Sequence, residues 1–219
     1  MPDLPCITLE PATTATASII WLHGLGADGH DFEAIVPELR LPKTLPIRFV
    51  FPNAPSIPVT INNGYVMPAW YDILEMNVER KLNEKQLIAS ADAVHGLIDR
   101  EIKRGVASQR IILAGFSQGG AVNYHAALTY PHKLGGLLAL STYFPTADSV
   151  VRKNADLALD ILICHGTQDP VVPELLGQKS VKSLSAMGYR PQYKTYPMPH
   201  SVCAEEVVDI SIWIQKVLA

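Results

Sequence analysis

The stretch Arg110-Ile111-Ile112-Leu113-Ala114-Gly115-Phe116-Ser117-Gln118-Gly119-Gly120 decides how the rest of the chain is read. Arg110–Ala114 is apolar after its first residue and reads as a strand buried on both faces, as in a parallel sheet covered by helices. The run from Gln118 to Tyr130 reads as a helix, stopped by Pro131. Gly115-Phe116-Ser117-Gln118-Gly119 must make the turn between them. So sharp a strand–turn–helix holds the serine in strained dihedrals and lifts its hydroxyl above the sheet edge. Side chains two positions before and after would collide, which calls for the two glycines. The Gln118 amide then lies at a helix N-terminus and points toward a developing anion. Ser117 is therefore the candidate nucleophile.

The same alternation extends in both directions. Further strand candidates are Ala17–Leu22, Ile47–Phe51, Gly135–Leu140, Asp160–Cys164 and Gln192–Tyr196. Gln86–Arg104 carries one apolar stripe through Leu87, Ala91, Val94, Leu97 and Ile98, with Gly105 as a stop. Pro173–Met187 and Ala204–Leu218 complete the helices. Strand and helix in turn predict an α/β fold, with a mostly parallel central sheet and right-handed crossovers that place helices on both faces. No linker, repeat or low-complexity segment appears, so residues 1–219 read as a single domain. Residues 52–84 break the rhythm: they hold four prolines, Asn62-Asn63-Gly64 and the apolar Met67, Trp70, Ile73, Leu74 and Met76. A long connection with apolar residues of its own is a functional excursion or a cap on the core.

Composition removes several function classes. With 219 residues and 48% hydrophobic content the chain can build a core without disulfides or metal. A net charge of −3 supplies no basic field for nucleic acid or an anionic membrane. Three cysteines, at 6, 164 and 203, are too few for a disulfide scaffold and lack zinc-site spacing. No Lys or Arg precedes Arg40 and no apolar run approaches a membrane span, so the sequence reads as soluble and cytoplasmic, without stable membrane insertion.

A serine nucleophile needs a base, and the base needs an orienting acid. On such a sheet both follow the serine in chain order, each just past a strand end. Among His125, His132, His165 and His200, only His200 follows the final strand and precedes the last helix. Among Asp148, Asp156, Asp160, Asp169 and Glu174, only Asp169 follows a complete strand closely, and Pro170 holds it extended. A second oxyanion donor should come from a glycine loop after an early strand. His23-Gly24-Leu25-Gly26 fits, and the Leu25 amide can pair with that of Gln118. A phosphate-binding loop is the other reading of these glycines, but G-x-x-x-x-G-K-[ST] is absent.

Five motifs occur in order: His23-Gly24-Leu25-Gly26, Pro68-Ala69-Trp70-Tyr71-Asp72, Gly115-Phe116-Ser117-Gln118-Gly119-Gly120, His165-Gly166-Thr167-Gln168-Asp169-Pro170-Val171-Val172 and Pro199-His200. Together they resemble the carboxylesterase and acyl-protein thioesterase family of α/β-hydrolases, over essentially the whole chain. The resemblance implies the α/β-hydrolase fold and a serine hydrolase acting on carboxylic esters, lysophospholipids or S-acyl thioesters. It implies Ser117, Asp169 and His200 as the triad, the Leu25 and Gln118 amides as the oxyanion hole, and no cofactor. Phe is the commoner residue of that pattern where Tyr71 stands, which bears on the shape of the acyl pocket.

On this reading Met67, Trp70, Tyr71, Ile73, Phe144 and Val172 are the candidate substrate-binding residues, suited to an apolar acyl group on a small molecule, a lipid or an S-acyl protein. An apolar entrance of this kind can also serve as a homodimer contact. Two other functions stay open: a peptidase, and a non-catalytic ligand-binding protein on a hydrolase fold.

Overall fold

A computed structural model describes residues 4–76, 80–153 and 157–219; the acid candidate Asp156 and residues 77–79 of the excursion lie outside them. In chain order the strands are β1 (Cys6–Leu9), β2 (Ala17–Leu22), β3 (Ile47–Pro52), β4 (Ser56–Val59), β5 (Tyr65–Pro68), β6 (Ile73–Glu75), β7 (Lys81–Leu82), β8 (Ile111–Phe116), β9 (Gly136–Leu140), β10 (Asp160–Gly166) and β11 (Gln192–Tyr196). The helices are α1 (Ile35–Glu38), α2 (Glu84–Lys103), α3 (Gln118–Thr129), α4 (Glu174–Ala186) and α5 (Ala204–Val217).

The main sheet runs β1-β3-β2-β8-β9-β10-β11. Only β1 pairs antiparallel; the other contacts are parallel, as between Ile19 and Ile112 or Ile163 and Tyr193. Alternate residues of each inner strand feed two cores. Ile20, Leu22, Leu113, Leu137 and Ile163 face the core under α2, α3 and α4. Ile19, Trp21, Ile112, Leu138 and Leu162 face the one closed by α5. This is why these strands are apolar at nearly every position. In α2, Leu87, Val94, Leu97 and Ile98 leave water, each worth roughly 1.5–3 kcal/mol.

The chain crosses from β2 to β3 on one side of the sheet and returns through α2 to β8 on the other. The order therefore reverses between β2 and β8, and a crevice forms past their C-terminal ends. Residues 23–26 and Ser117 emerge at this place.

Two sequence expectations need adjusting in detail. The 52–84 excursion contains two hairpins, β4–β5 and β6–β7. Asn63 and Gly64 make the first turn with φ of +55° and +75°, and the prolines are tolerated because a two-stranded ribbon is all edge. Helix α2 starts two residues before the expected Gln86, because the Asn83 side chain caps it by accepting from the Gln86 amide.

Helix α5 buries an acid in its first turn. Glu206 is fully buried, and burial pushes its carboxyl up to about 8; Asp209 adds repulsion, while the Cys203 amide and the Cys164 thiol partly offset both. The folded state then holds one more proton than the unfolded chain between the ordinary carboxyl range and pH 8. Its contribution is complete at acid pH and is lost as pH rises through 8. Glu206→Gln, neutral throughout, should melt at a higher temperature than the wild type at pH 9 and close to it at pH 4. Equal melting shifts at both ends would show that the fold does not raise the Glu206 carboxyl.

Candidate active site

The turn after β8 has the geometry that its sequence demands. Ser117 sits at φ +52° and ψ −119°. Its amide donates to Leu140 O, and its carbonyl accepts from the Thr142 hydroxyl and the Ala121 amide. These bonds over-determine a conformation that costs about 1–3 kcal/mol. A Cβ on Gly115 would lie 2.6 Å from the Gly119 carbonyl carbon, and one on Gly119 would lie 2.6 Å from His23 O and Leu22 O. The obstacles are backbone, so neither position tolerates a side chain. The Ser117 hydroxyl does not cap α3, which leaves it for other partners.

Asp169 and His200 come together from loops 31 residues apart in sequence. His200 Nδ1 lies 2.6 Å from Asp169 Oδ2. The other carboxylate oxygen accepts from the Val171 and Val172 amides, both at 2.8 Å. The Asp169 side chain has no exposed surface. Burial works against its charge, but His200 and these two amides outweigh burial and hold the carboxyl below its usual range. The ring of Phe116, the residue before Ser117, packs on His200 with centroids 4.6 Å apart. The other candidate bases are occupied elsewhere: His125 meets Thr146, His132 packs on Tyr130, and His165 meets Val172 O at 2.8 Å.

His165 has a structural role instead. It is fully buried beneath the acid loop, and burial lowers its pKa, so the ring is neutral and donates from Nε2 to Val172 O. A Cβ on Gly177 would come 2.5 Å from its Nδ1. His165 therefore braces the residue whose amide holds Asp169.

The two candidate oxyanion amides lie on loops after different strands, and residues 68–71 tie these loops together. The Trp70 indole donates to His23 O at 2.9 Å. The Trp70 amide donates to Gln118 Oε1, and Gln118 Nε2 donates to Tyr71 O. Gly26 N donates to Pro68 O. His23 completes the set: Ala54 N donates to its Nε2, so its Nδ1 carries the proton and donates to Gly24 O at 2.7 Å. Burial lowers the pKa of His23 and keeps that tautomer neutral.

The candidate substrate residues divide by place. Leu25, Tyr71 and Ile73 line a pocket of about 50 Å³ that also contains Ser117. Phe144 lines a larger groove of about 640 Å³. Met67 Sδ lies 3.6 Å from where a Cβ on Gly26 would stand, beside the candidate oxyanion loop. Trp70 and Val172 are buried behind the site, in the tie and the acid loop just described. Tyr71 uses the hydroxyl that distinguishes it from Phe: it meets the Tyr143 hydroxyl at 2.8 Å in full burial. Sequence reasoning missed the roles of His23, the Gln118 side chain and His165. Their only signal was membership of the motifs that begin His23-Gly24, Gly115-Phe116-Ser117-Gln118 and His165-Gly166. Among the described residues no group of His, Cys, Asp and Glu is arranged to hold a metal ion.

A mostly parallel sheet with helices on both faces and a serine elbow at its switch point defines an α/β-hydrolase. Residues 6–218 match the phospholipase/carboxylesterase family, and the chain belongs to it. It is 36% identical to acyl-protein thioesterase 1 of Gibberella zeae, over 97% of this chain and 95% of that protein. It is 36% identical to acyl-protein thioesterase 1 of Cryptococcus neoformans var. neoformans serotype D, over 99% and 98%. Among solved structures it resembles Arabidopsis thaliana SOBER1, with a TM-score of 0.87 and 34% identity over 93% of this chain and 99% of that one. It also resembles Zea mays acyl-protein thioesterase 2, with a TM-score of 0.86 and 27% identity over 98% and 99%. The family resemblance read from the five motifs is thereby established, and the protein is a hydrolase.

Proposed function

We propose that the protein is a serine esterase and thioesterase, with Ser117, Asp169 and His200 as its triad and the Leu25 and Gln118 amides as its oxyanion hole. The observation that carries this reading is the 2.6 Å Asp169–His200 contact, with the His200 ring packed on Phe116, the residue before a serine in a strained turn. His200 takes the Ser117 proton as the hydroxyl attacks the ester or thioester carbonyl. Asp169 fixes the tautomer and stabilises the imidazolium. The two amides bind the oxyanion, each worth about 3–4 kcal/mol in the transition state. The alcohol or thiol leaves with the proton from His200. Water, activated by His200 in its turn, then releases the acid. The apolar lining at Ser117 suits an acyl group, and the relatives named acyl-protein thioesterases support an S-acyl substrate for this chain. A cytoplasmic setting accords with the three unpaired cysteines.

Treatment with a serine-directed fluorophosphonate, followed by peptide mapping, tests the assignment. The adduct should form on Ser117 when the native protein is treated and fail to form when the protein is unfolded before treatment. No adduct on Ser117 in the native protein would overturn both hydrolytic readings. Matched oxygen and sulfur esters of one acyl group then measure the thioesterase share.

A further inference from the structure

The 50 Å³ pocket at Ser117 and the 640 Å³ groove have two lining residues in common, Arg80 and Tyr143. Arg80 follows β6 and comes from outside the triad and oxyanion loops. Its guanidinium lies 4.8 Å from the centre of the Tyr143 ring, in cation–π contact. One of its nitrogens donates to Val171 O and another reaches Met76 Sδ at 3.2 Å. Tyr143 is held by Tyr71, whose ring also faces the small pocket. Arg80 therefore spans the rim from the β6 side to the acid loop.

The two spaces differ in what they can hold. The pocket at Ser117 is small and mostly apolar, with Leu25, Ile61, Ile73 and Met76 around the serine. The groove is mixed: Leu74, Leu82, Phe144 and Leu176 offer apolar surface among Lys81, Glu84, Asp148 and Lys179. A short acyl group fits the pocket alone. A long one has to continue into the groove, and the wall in its path is a side chain rather than backbone.

We propose that Arg80 determines acyl-chain length: it walls the pocket at Ser117 from the neighbouring groove, and a fatty acyl chain reaches Leu74, Leu82, Phe144 and Leu176 in that groove only when Arg80 leaves its seat on Tyr143. The proposal rests on Ser117 as the nucleophile. A chain that lifts Arg80 gives up the stacking and the Val171 bond, which penalises long chains relative to short ones. Lysine at this position keeps the charge but cannot stack as a plane or span two partners, so it should act as a partial wall.

The experiment compares p-nitrophenyl butyrate with p-nitrophenyl laurate, one leaving group throughout, on the wild type, Arg80→Ala, Arg80→Lys and Arg80→Met. Arg80→Ala should raise the laurate-to-butyrate ratio of kcat/KM about ten-fold or more, the scale of pocket discrimination between alkyl groups. Lysine should fall between the two. Arg80→Met fills the space without the charge and keeps the test available if the alanine variant does not fold. An unchanged ratio would overturn the proposal, and so would a loss of equal size on both esters, which marks Arg80 as a brace for the acid loop only. Fluorophosphonate labelling of each variant separates the two levels. Labelled Ser117 with an unchanged ratio defeats only the role of Arg80, and unlabelled Ser117 in the wild type defeats the nucleophile on which it rests.

Discussion

Ser117→Ala is expected to lose fluorophosphonate labelling and to lower kcat/KM by about 10⁴-fold to 10⁶-fold, the range for removing the nucleophile of a triad. The residual rate should come from the oxyanion amides and substrate binding alone. The fold should survive, because the Ser117 hydroxyl does not cap α3 and the bonds around this residue use its backbone. Alanine inherits the strained φ of +52°. Ser117→Gly should be as inactive as the alanine variant, yet better accommodated. Glycine enters this region without steric penalty, so relief of strain of about 1–3 kcal/mol exceeds its entropic cost of roughly 0.5–1 kcal/mol. For a chain of this size a gain of about 1 kcal/mol raises the melting temperature by about 2–4 °C. Two inactive variants that melt in the order glycine above alanine would tie the strain to this one residue. Retained turnover in either would remove Ser117 from the mechanism.

The fold and the pair of loops at its edge were legible for different physical reasons. Inner strands such as Ile111–Phe116 and Asp160–Gly166 are apolar at almost every position because helices cover both faces. Helix α3 is buried along its whole length and so has no polar face to reveal a helical period. It was read from the elbow before it and Pro131 after it. Strand β1 and the four-residue α1 were not foreseen, since four residues carry too little pattern and Pro37 lies inside α1. The hairpins of the excursion were hidden by their prolines, although Asn63-Gly64 marked a turn.

The candidate site shows the same division. Ser117, Asp169 and His200 could be singled out as candidates because chain order and strand ends constrain where such groups can stand. The hydrogen bonds that hold them were not, because they join positions far apart, as Trp70 does with His23 and Gln118. A buried tryptophan and a substrate-contacting one look alike in sequence. Arg80 is the extreme case. A single charged residue in an irregular segment reads as solvated surface until its distance to Tyr143 is known.

The acid can be tested without dismantling the loop that holds it. Asp169→Asn keeps an oxygen for the Val171 and Val172 amides, but turns an N–H toward His200 Nδ1 in place of Oδ2. The imidazole must then accept at Nδ1 and carry its proton on Nε2, the nitrogen that has to receive the proton of Ser117. The expected cost is about 10³-fold to 10⁴-fold in kcat/KM. Asp169→Ala should lose as much activity and also leave two amides unpaired, at about 1–3 kcal/mol each. Melting temperature should therefore fall clearly for alanine and less for asparagine. The pH dependence has a fixed sign. Because the folded carboxyl lies below its usual range, its contribution is present above the unfolded pKa and disappears as pH falls through the folded one. The stability difference between wild type and Asp169→Asn should thus be largest near neutrality and shrink in acid. An asparagine variant with wild-type turnover would leave His200 oriented by some other group, and a difference that grows in acid would mean that Asp169 is protonated in the fold.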